Sequence, residues 1–370
     1  MQALVTAPGN TAIVAQVPIP EPSSNEIRIK VHSVALNPVD ALYVFHPADA
    51  SGRVIGSDIA GVVDQVGSEV TRWKVGDRVA GLLQGATSGN ARPGGFAEYA
   101  IVEADLVIAI PSQVSFDEAA TFPLCSLTAA QALFIRLELT PPFPSPYEFA
   151  PESLEAPTIL IYSAATSLGL FTIGLANLLR TPAGNSYRIF ATASSKHHFK
   201  LLALGVEAWP QRVKDASGGI HYVVDCISED ESTALISQTF SNTGGRIAVI
   251  RKSAWRKEGI RQDVTPLYGA AWAGLGKEIF YNNEILPADP SWRALTVAFF
   301  DWMSSYSDHF PISPNPVRIM PGGFSGIADD AFMLLGAGKV ADRDSNLALA
   351  ARTEAWMKPI SGEKLVYRVP

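Results

Sequence analysis

A strand, a tight turn of small residues and a helical stretch carry the strongest chemical signal in this chain. Thr158-Ile159-Leu160-Ile161-Tyr162 is a compact apolar run, Ser163-Ala164-Ala165-Thr166-Ser167-Leu168-Gly169 follows it, and Leu168 to Arg180 is apolar-rich with helical character. Small side chains at such a turn let the backbone approach a pyrophosphate, and the helix N-terminus adds N–H groups and the positive end of its dipole. Of the usual fingerprint glycines only Gly169 is present, at the place that permits close helix–strand packing. The same residues suit an ordinary βα turn that binds no nucleotide; the position between strand and helix favours the nucleotide. The next strand, Tyr187-Arg188-Ile189-Phe190-Ala191-Thr192, ends in Ala193-Ser194-Ser195-Lys196-His197-His198. A site for NAD commonly places Asp or Glu there, to accept from the ribose 2′-hydroxyl. Hydroxyls, a lysine and two histidines instead suit a 2′-phosphate, or else form a solvated loop. NADP(H) is the expected cofactor.

Metal and nucleophile chemistry find less support. Cys125 and Cys226, 101 positions apart, cannot build a four-ligand structural zinc site, and His32, His46 and Cys125 share no ligand spacing. His32 reads as a strand residue. No Gly-x-Ser-x-Gly elbow occurs, so a serine hydrolase is not indicated. Two cysteines without a secretion signal read as reduced thiols.

The elements that must position these residues alternate in character. Up to about residue 110 the chain is β-rich. Ile27-Arg28-Ile29-Lys30-Val31-His32 alternates as a half-buried strand does. Short apolar runs then recur between glycines at Ile59 to Val63, Asp77 to Gly81 and Phe96 to Val102, the spacing of a small barrel or sandwich. Ser115 and Glu118 stand at capping-box spacing. Pro141-Pro142-Phe143-Pro144-Ser145-Pro146 reads as a surface loop leading into a new domain. Beyond it strands and helices alternate. A helix is expected at Phe199 to Leu204, and strands at His221 to Asp225 and at Arg246 to Ile250, which implies a doubly wound parallel sheet. Lys364 to Val369 reads as a final strand of the first domain.

Composition bounds the rest. The 370 residues are 47% hydrophobic and 18% charged with net charge −7, an ordinary globular balance with room for about two domains. No basic block invites nucleic acid, no apolar run is long enough for a membrane span, and the first residues lack a signal peptide's basic start. The expectation is a cytoplasmic protein that meets neither nucleic acid nor membrane, and a monomer.

Several motifs then resemble a known family. Ala35-Leu36-Asn37-Pro38-Val39-Asp40 looks like the Asn-Pro-x-Asp turn of quinone-reductase-type enzymes. Gly56-Ser57-Asp58-Ile59-Ala60-Gly61-Val62-Val63, with Val66-Gly67 and Gly76-Asp77-Arg78-Val79, resembles their long glycine signature, and Gly94 to Tyr99 the block that follows. These are zinc-free medium-chain dehydrogenases/reductases; metal-dependent members carry cysteine and histidine where this chain has Asn37 and Ser57. A closer likeness, through Phe122 to Ala130, Ser195 to Phe199, Tyr222 to Ser228 and Ser361 to Val366, is to the trans-acting enoyl reductases, of the lovastatin type, that serve fungal polyketide synthases.

The resemblance implies an α/β fold: a GroES-like, β-rich catalytic domain plus a doubly wound Rossmann domain. The expected division is 1–135, then 136–280 for the Rossmann part, then 281–370 returning to the first domain. It implies cofactor contacts at Val39, Asp40, Ala41 and Leu42, at Ala165, Thr166, Ser167 and Leu168, and at Ser195, Lys196, His197 and His198. Further contacts fall at Gln211, Ile250, Arg251, Ile360 and Ser361. It implies a substrate channel from Pro123, Leu124, Cys125, Ser126, Leu127, Thr128, Ala129 and Ala130, and from Glu278, Ile279, Phe280, Tyr281 and Asn282. Where relatives often have lysine or tryptophan this chain has Ala41-Leu42, and no tyrosine stands near Gln211.

The implied activity is NADPH-dependent reduction of an α,β-unsaturated thioester. The substrate would ride on the acyl carrier protein of a polyketide synthase, or of a synthase–peptide synthetase hybrid. Thr128 is a candidate hydroxyl near the thioester, and equally an ordinary helix-start residue; no catalytic residue is otherwise assigned. A soluble quinone or enone reductase, or a non-catalytic NADPH-holding subunit docked on a synthase, are the alternatives. One departure is large: residues 341–360 separate Gly338-Lys339-Val340 from Ser361-Gly362-Glu363-Lys364, which relatives join directly. With helical character at Leu347 to Arg352 behind a possible cap at Asp344-Ser345-Asn346, this insertion reads either as a surface helix or as translated non-coding sequence, and in both cases as a segment that the fold does not need.

Overall fold

The alternation of Ile27, Ile29 and Val31 against Arg28, Lys30 and His32 places the isoleucines and valine inside and leaves Lys30 and His32 in solvent. That strand becomes the middle of the largest sheet in a computed structural model that describes residues 1–90, 92–148, 157–194, 207–208, 219–252, 255–282, 284–336, 338–340, 343, 349 and 351–370. The chain divides into two compact units, 1–124 with 272–370, and 125–271.

The first unit opens with the antiparallel pair β1 (Gln2–Ala7) and β2 (Thr11–Gln16). β3 (Glu26–Ala35), α1 (Pro38–Phe45), β4 (Asp58–Val66), β5 (Arg78–Leu82), β6 (Tyr99–Glu103) and β7 (Val107–Ala109) follow. Ser115 caps α2 (Phe116–Ala119), and its capping box with Glu118 forms as the spacing predicts. α3 (Pro123–Ala130) runs into a π-helical turn, Gln131–Arg136.

Within the second unit come β8 (Thr158–Tyr162), α4 (Ser167–Leu178), β9 (Arg188–Ala191), β10 (Glu207–Ala208), β11 (Tyr222–Asp225), α5 (Ser232–Ser237), β12 (Gly245–Val249) and β13 (Val264–Tyr268). They make one parallel sheet ordered β10-β9-β8-β11-β12-β13. Such strands are covered on both faces and so read as continuous apolar runs rather than as alternation. Leu160, Phe190, Val223, Ile247 and Val249 form its core. The order reverses at β8, which lies between β9 and β11. The expected helix at Phe199 to Leu204 lies outside the described residues.

The return to the first unit brings β14 (Ile279–Tyr281), β15 (Glu284–Leu286), α6 (Pro290–Ser304), β16 (Val317–Met320) and β17 (Lys364–Arg368). β17 pairs antiparallel with β3, Val366 opposite Ala35, and completes a sheet ordered β16-β17-β3-β4-β5-β7, with β6 also on β3. Its core gathers Leu4, Ile27, Ile29, Ile59, Val79, Phe96 and Tyr367.

Three expectations meet different structure. The units divide at 124/125 and 271/272, whereas the expected boundaries were 135/136 and 280/281. The reason is that the π-helical turn buries Arg136 against the end of β12. The proline-rich segment is irregular, as its prolines require, but it lies inside the second unit and is not all surface. Phe143 is buried and packs edge-on against Phe134, ring centroids 5.4 Å apart.

The third concerns the segment 341–360, of which the described part is not all surface. Leu349 and Met357 are buried in the core of the first unit, with Ile360 packed against it. Arg352 pairs with Asp330 at 2.7 Å and Trp356 donates its indole N–H to the same carboxylate at 2.9 Å. The buried Arg318 donates to the carbonyls of Trp356, Lys358 and Pro359 at 3.0, 2.6 and 3.1 Å and pairs with Glu363. Of its expected helix, Leu347 to Arg352, only Leu349, Ala351 and Arg352 lie within the described residues, and the cap at Asp344-Ser345-Asn346 lies outside them.

Candidate active site

In the second unit the turn after β8 has the shape of a phosphate cradle. Ser163 adopts φ 58°, and Thr166 caps α4 by accepting the Gly169 N–H at 3.1 Å. A Cβ on Gly169 would come within 2.6 Å of Ala164 backbone, so glycine is required for helix and strand to lie this close. The intrahelical ladder begins with Leu170 N–H on the Thr166 carbonyl, 2.9 Å. The amides of Ser167 and Leu168 precede it, at the positive end of the helix dipole. Ala165, Thr166 and Ser167 reach the surface while Leu168 is buried. The turn stands beside the strand-order reversal, on the edge where open parallel sheets take dinucleotides. The residues present fit a nicotinamide dinucleotide.

Further along that edge, Asp225 ends β11 and is fully buried. Its carboxylate accepts from the backbone of Ile227 and Ser228, at 3.1 and 2.8 Å, and from the hydroxyls of Ser232 and Thr233, at 2.8 and 3.3 Å. Burial pushes its pKa up despite these donors. Ser228 in turn accepts the Ile250 N–H at 3.0 Å. Arg251 pairs with the buried Glu229 at 3.0 Å. Ala165 to Leu168 and Ile250–Arg251 therefore share one sheet edge. Ser195, Lys196, His197, His198 and Gln211 lie outside the described residues.

α3 presents one narrow face. Of Cys125, Ser126, Leu127, Thr128, Ala129 and Ala130, only Cys125 and Thr128 reach solvent. They stand three residues apart, on the same side of a helix. The Ser126 hydroxyl is buried and has no hydrogen-bond partner among the described residues. Arg136 is 4% exposed, and burial lowers its pKa to about 10, still far above neutrality, so it stays a cation. Cys226 is buried, and burial pushes its thiol well above the ordinary range; both cysteines are free.

In the first unit Asn37 and Ser57 belong to a buried hydrogen-bond network. Asn37 donates its side-chain amide to Asp58 at 2.9 Å and its backbone N–H to Asp40 at 2.8 Å. Ser57 donates to Asp40 at 2.8 Å. Lys364, 2% exposed, reaches the fully buried Asp58 at 2.6 Å and the Thr121 carbonyl at 3.2 Å. Asp58 also accepts the Leu124 N–H at 2.7 Å, which anchors the start of α3 beside Pro123. Burial pushes Asp40 up to about 7, against hydrogen bonds from Ser57 and Asn37 that pull it down. Among the described residues no group of three histidine, cysteine or carboxylate side chains is placed to hold a metal. His32 is a strand residue, its ring stacked on Phe116 at 4.6 Å.

Of the cofactor positions implied on α1, Val39 and Leu42 reach the surface, whereas Asp40 and Ala41 are buried. Asp40 spends its side chain on Ser57 and Asn37, an internal role. Ile360 and Ser361 are half-buried ahead of β17. Glu278, Phe280 and Asn282 are exposed on and beside β14, with Ile279 buried. α1 and this hairpin are tied together: Tyr43 donates to Asn282 at 3.1 Å, and its ring lies 5.8 Å from that of Tyr281.

The sequence reading assigns no site role to Arg136, Asp225, Ser228 or Tyr43, and does not foresee the partnership of Asp58 with Lys364. Only Asp225 and Ser228 left a local signal, an aspartate at a strand end with a serine three positions on, which is the spacing of a side-chain-capped turn. The other partnerships join residues far apart in the chain.

Among the described residues no helix is long and apolar enough to cross a membrane. The alcohol dehydrogenase GroES-like domain family matches residues 23–112. A trans-enoyl reductase of Alternaria alternata is 30% identical over 88% of this chain and 92% of its own length. One of Aspergillus sclerotiorum is 40% identical over 48% of this chain and 51% of its own. Among solved structures, the CurK enoyl reductase superposes with a TM-score of 0.68 at 20% identity, covering 100% of this chain and 99% of that one. The fold is therefore a GroES-like β-rich domain joined to a doubly wound, Rossmann-type α/β domain.

Proposed function

This chain belongs to the trans-enoyl reductase family, an oxidoreductase acting on C=C bonds with a nicotinamide cofactor, and we propose that it is the NADPH-dependent enoyl reductase of a polyketide synthase or synthase–peptide synthetase hybrid. Its substrate is then an α,β-unsaturated thioester on an acyl carrier protein. The observation that carries the reading is the likeness to a trans-enoyl reductase over nine-tenths of both chains. When bound, NADPH supplies the hydride for the β-carbon.

The chain's own residues bind, orient and exclude water. The amides of Ser167 and Leu168 and the dipole of α4 hold the pyrophosphate. Ser195, Lys196, His197 and His198 supply donors and charge for the 2′-phosphate, and Gln211, Ile250 and Arg251 of the same unit extend the cofactor surface. The Thr128 hydroxyl, on the exposed face of α3 with Cys125, donates to the thioester carbonyl as enolate charge develops there. In the first unit, Phe280 and Tyr281 offer apolar surface beside the polar Asn282. Proton delivery to the α-carbon is assigned to no side chain.

The test is NADPH oxidation by the recombinant protein with a crotonyl-type carrier thioester, product saturation being read by mass spectrometry. Thr128→Val is expected to lower kcat about tenfold, with Thr128→Ser restoring it. Faster turnover of free quinones than of thioesters identifies a quinone reductase instead. NADPH binding with no turnover of either identifies a cofactor-holding subunit.

A further inference from the structure

The peptide linking Val249 to Ile250 is held on both of its polar groups by side chains from two other elements. Its carbonyl accepts from Arg136 at 2.7 Å, and its N–H donates to Ser228 at 3.0 Å. It lies where β12 ends, on the sheet edge that carries the phosphate turn. Each of the two side chains is itself held in place. Ser228 sits at φ 53°, a conformation that a non-glycine residue keeps only when its surroundings impose it. Its N–H bonds the Asp225 carboxylate at 2.8 Å and its hydroxyl the Asp225 carbonyl at 3.0 Å. Arg136 closes the π-helical turn after α3 and also donates to the carbonyl of Thr128 at 3.2 Å. Isolated π turns of this kind concentrate at functional sites.

A buried guanidinium whose partners among the described residues are all main-chain carbonyls is a costly way to fill space. What it does here is fix two main-chain segments to each other, the exposed-face residue of α3 and the end of β12. A dinucleotide crosses an open parallel sheet at the order reversal, one nucleoside on each side. The β8–β9 side carries the phosphate turn. The β11–β12 side is left for the nicotinamide nucleoside.

We propose that Arg136 and Ser228 are positioning residues that orient the Val249–Ile250 peptide for the nicotinamide half of the cofactor. Through Thr128, Arg136 also sets the spacing of that half from the substrate helix. The proposal rests on the cofactor reading above and adds to it the residues that govern ring placement. Neither side chain needs to touch the reacting atoms.

The experiment compares wild type, Arg136→Lys, Arg136→Met and Ser228→Ala for binding of NADPH and of 2′-phospho-ADP-ribose, which lacks only the nicotinamide ring. Transfer from NADPH deuterated on either face of the ring is followed alongside. The variants are expected to weaken NADPH about tenfold relative to the ring-free analogue, to lower kcat by about tenfold to a hundredfold, and to blur the facial selectivity of transfer. Arg136→Lys is expected to recover part of each effect. If Arg136→Met fails to fold, Ser228→Ala carries the same test with the guanidinium intact. Variants that weaken both ligands equally, or neither, overturn the proposal. A wild type that binds neither ligand overturns the cofactor reading itself, and this proposal with it.

Discussion

Asp40, Asn37, Ser57, Asp58 and Lys364 are five polar residues taken almost wholly out of water, and each is tolerated because another satisfies it. Lys364→Met leaves Asp58 buried without its cation and is expected to cost about 3–5 kcal/mol in chemical denaturation. Pairing it with Asp58→Asn should restore part of the loss, and a variant as stable as wild type would show that the pair contributes nothing. Asp40 makes a pH-dependent prediction. Its ordinary value is 3.8, and burial pushes it up to about 7 in the fold. A carboxyl raised by folding contributes its full stability below the unfolded value and loses it as pH rises through the folded value. The denaturation midpoint should therefore fall between about 3.8 and about 7, and the profile of Asp40→Asn should be flatter over that window. Equal slopes would assign the titration elsewhere. Asn37, Asp40, Ser57 and Asp58 stand out in the sequence because two motifs contain them, but Lys364 lies 306 positions from Asp58, a separation no local pattern encodes.

Element by element, the strands whose one face is wet were the most legible. β3 alternates in sequence and in burial, because a half-buried strand must. The capping box at Ser115 was equally local. Against the pattern of relatives, residues 341–360 read as an addition outside the core. The physical outcome is opposite, because Leu349 and Met357 find the core of the first unit and Arg318 finds three carbonyls there. Joining Val340 directly to Ser361 is now expected to lower the melting temperature or abolish folding. Leu349→Ala alone should cost about 2–5 kcal/mol. An unchanged melting temperature in the deletion would show that these contacts contribute nothing to stability.

For the whole molecule, cofactor choice can be read as stability. A ligand that binds only the folded chain adds about 2.7 kcal/mol at a hundred times its dissociation constant. NADPH binding about tenfold tighter than NADH, or about 1.4 kcal/mol, should give the larger thermal shift at equal concentration. Lys196→Ala should remove the difference. Equal shifts in the wild type would show that the end of the second Rossmann strand does not read the 2′-phosphate. Legible from the residues alone is what depends on neighbours in the chain: the strand–turn–helix around Gly169, the absence of a carboxylate after Ala193, and the alternation of β3. Tertiary structure alone decided which distant groups share a buried space. It placed Lys364 on Asp58, Arg136 on the end of β12, and Leu349 and Met357 in a core. Burial forces every polar group to find a partner wherever the chain can supply one, and the identity of that partner is set by packing, not by spacing.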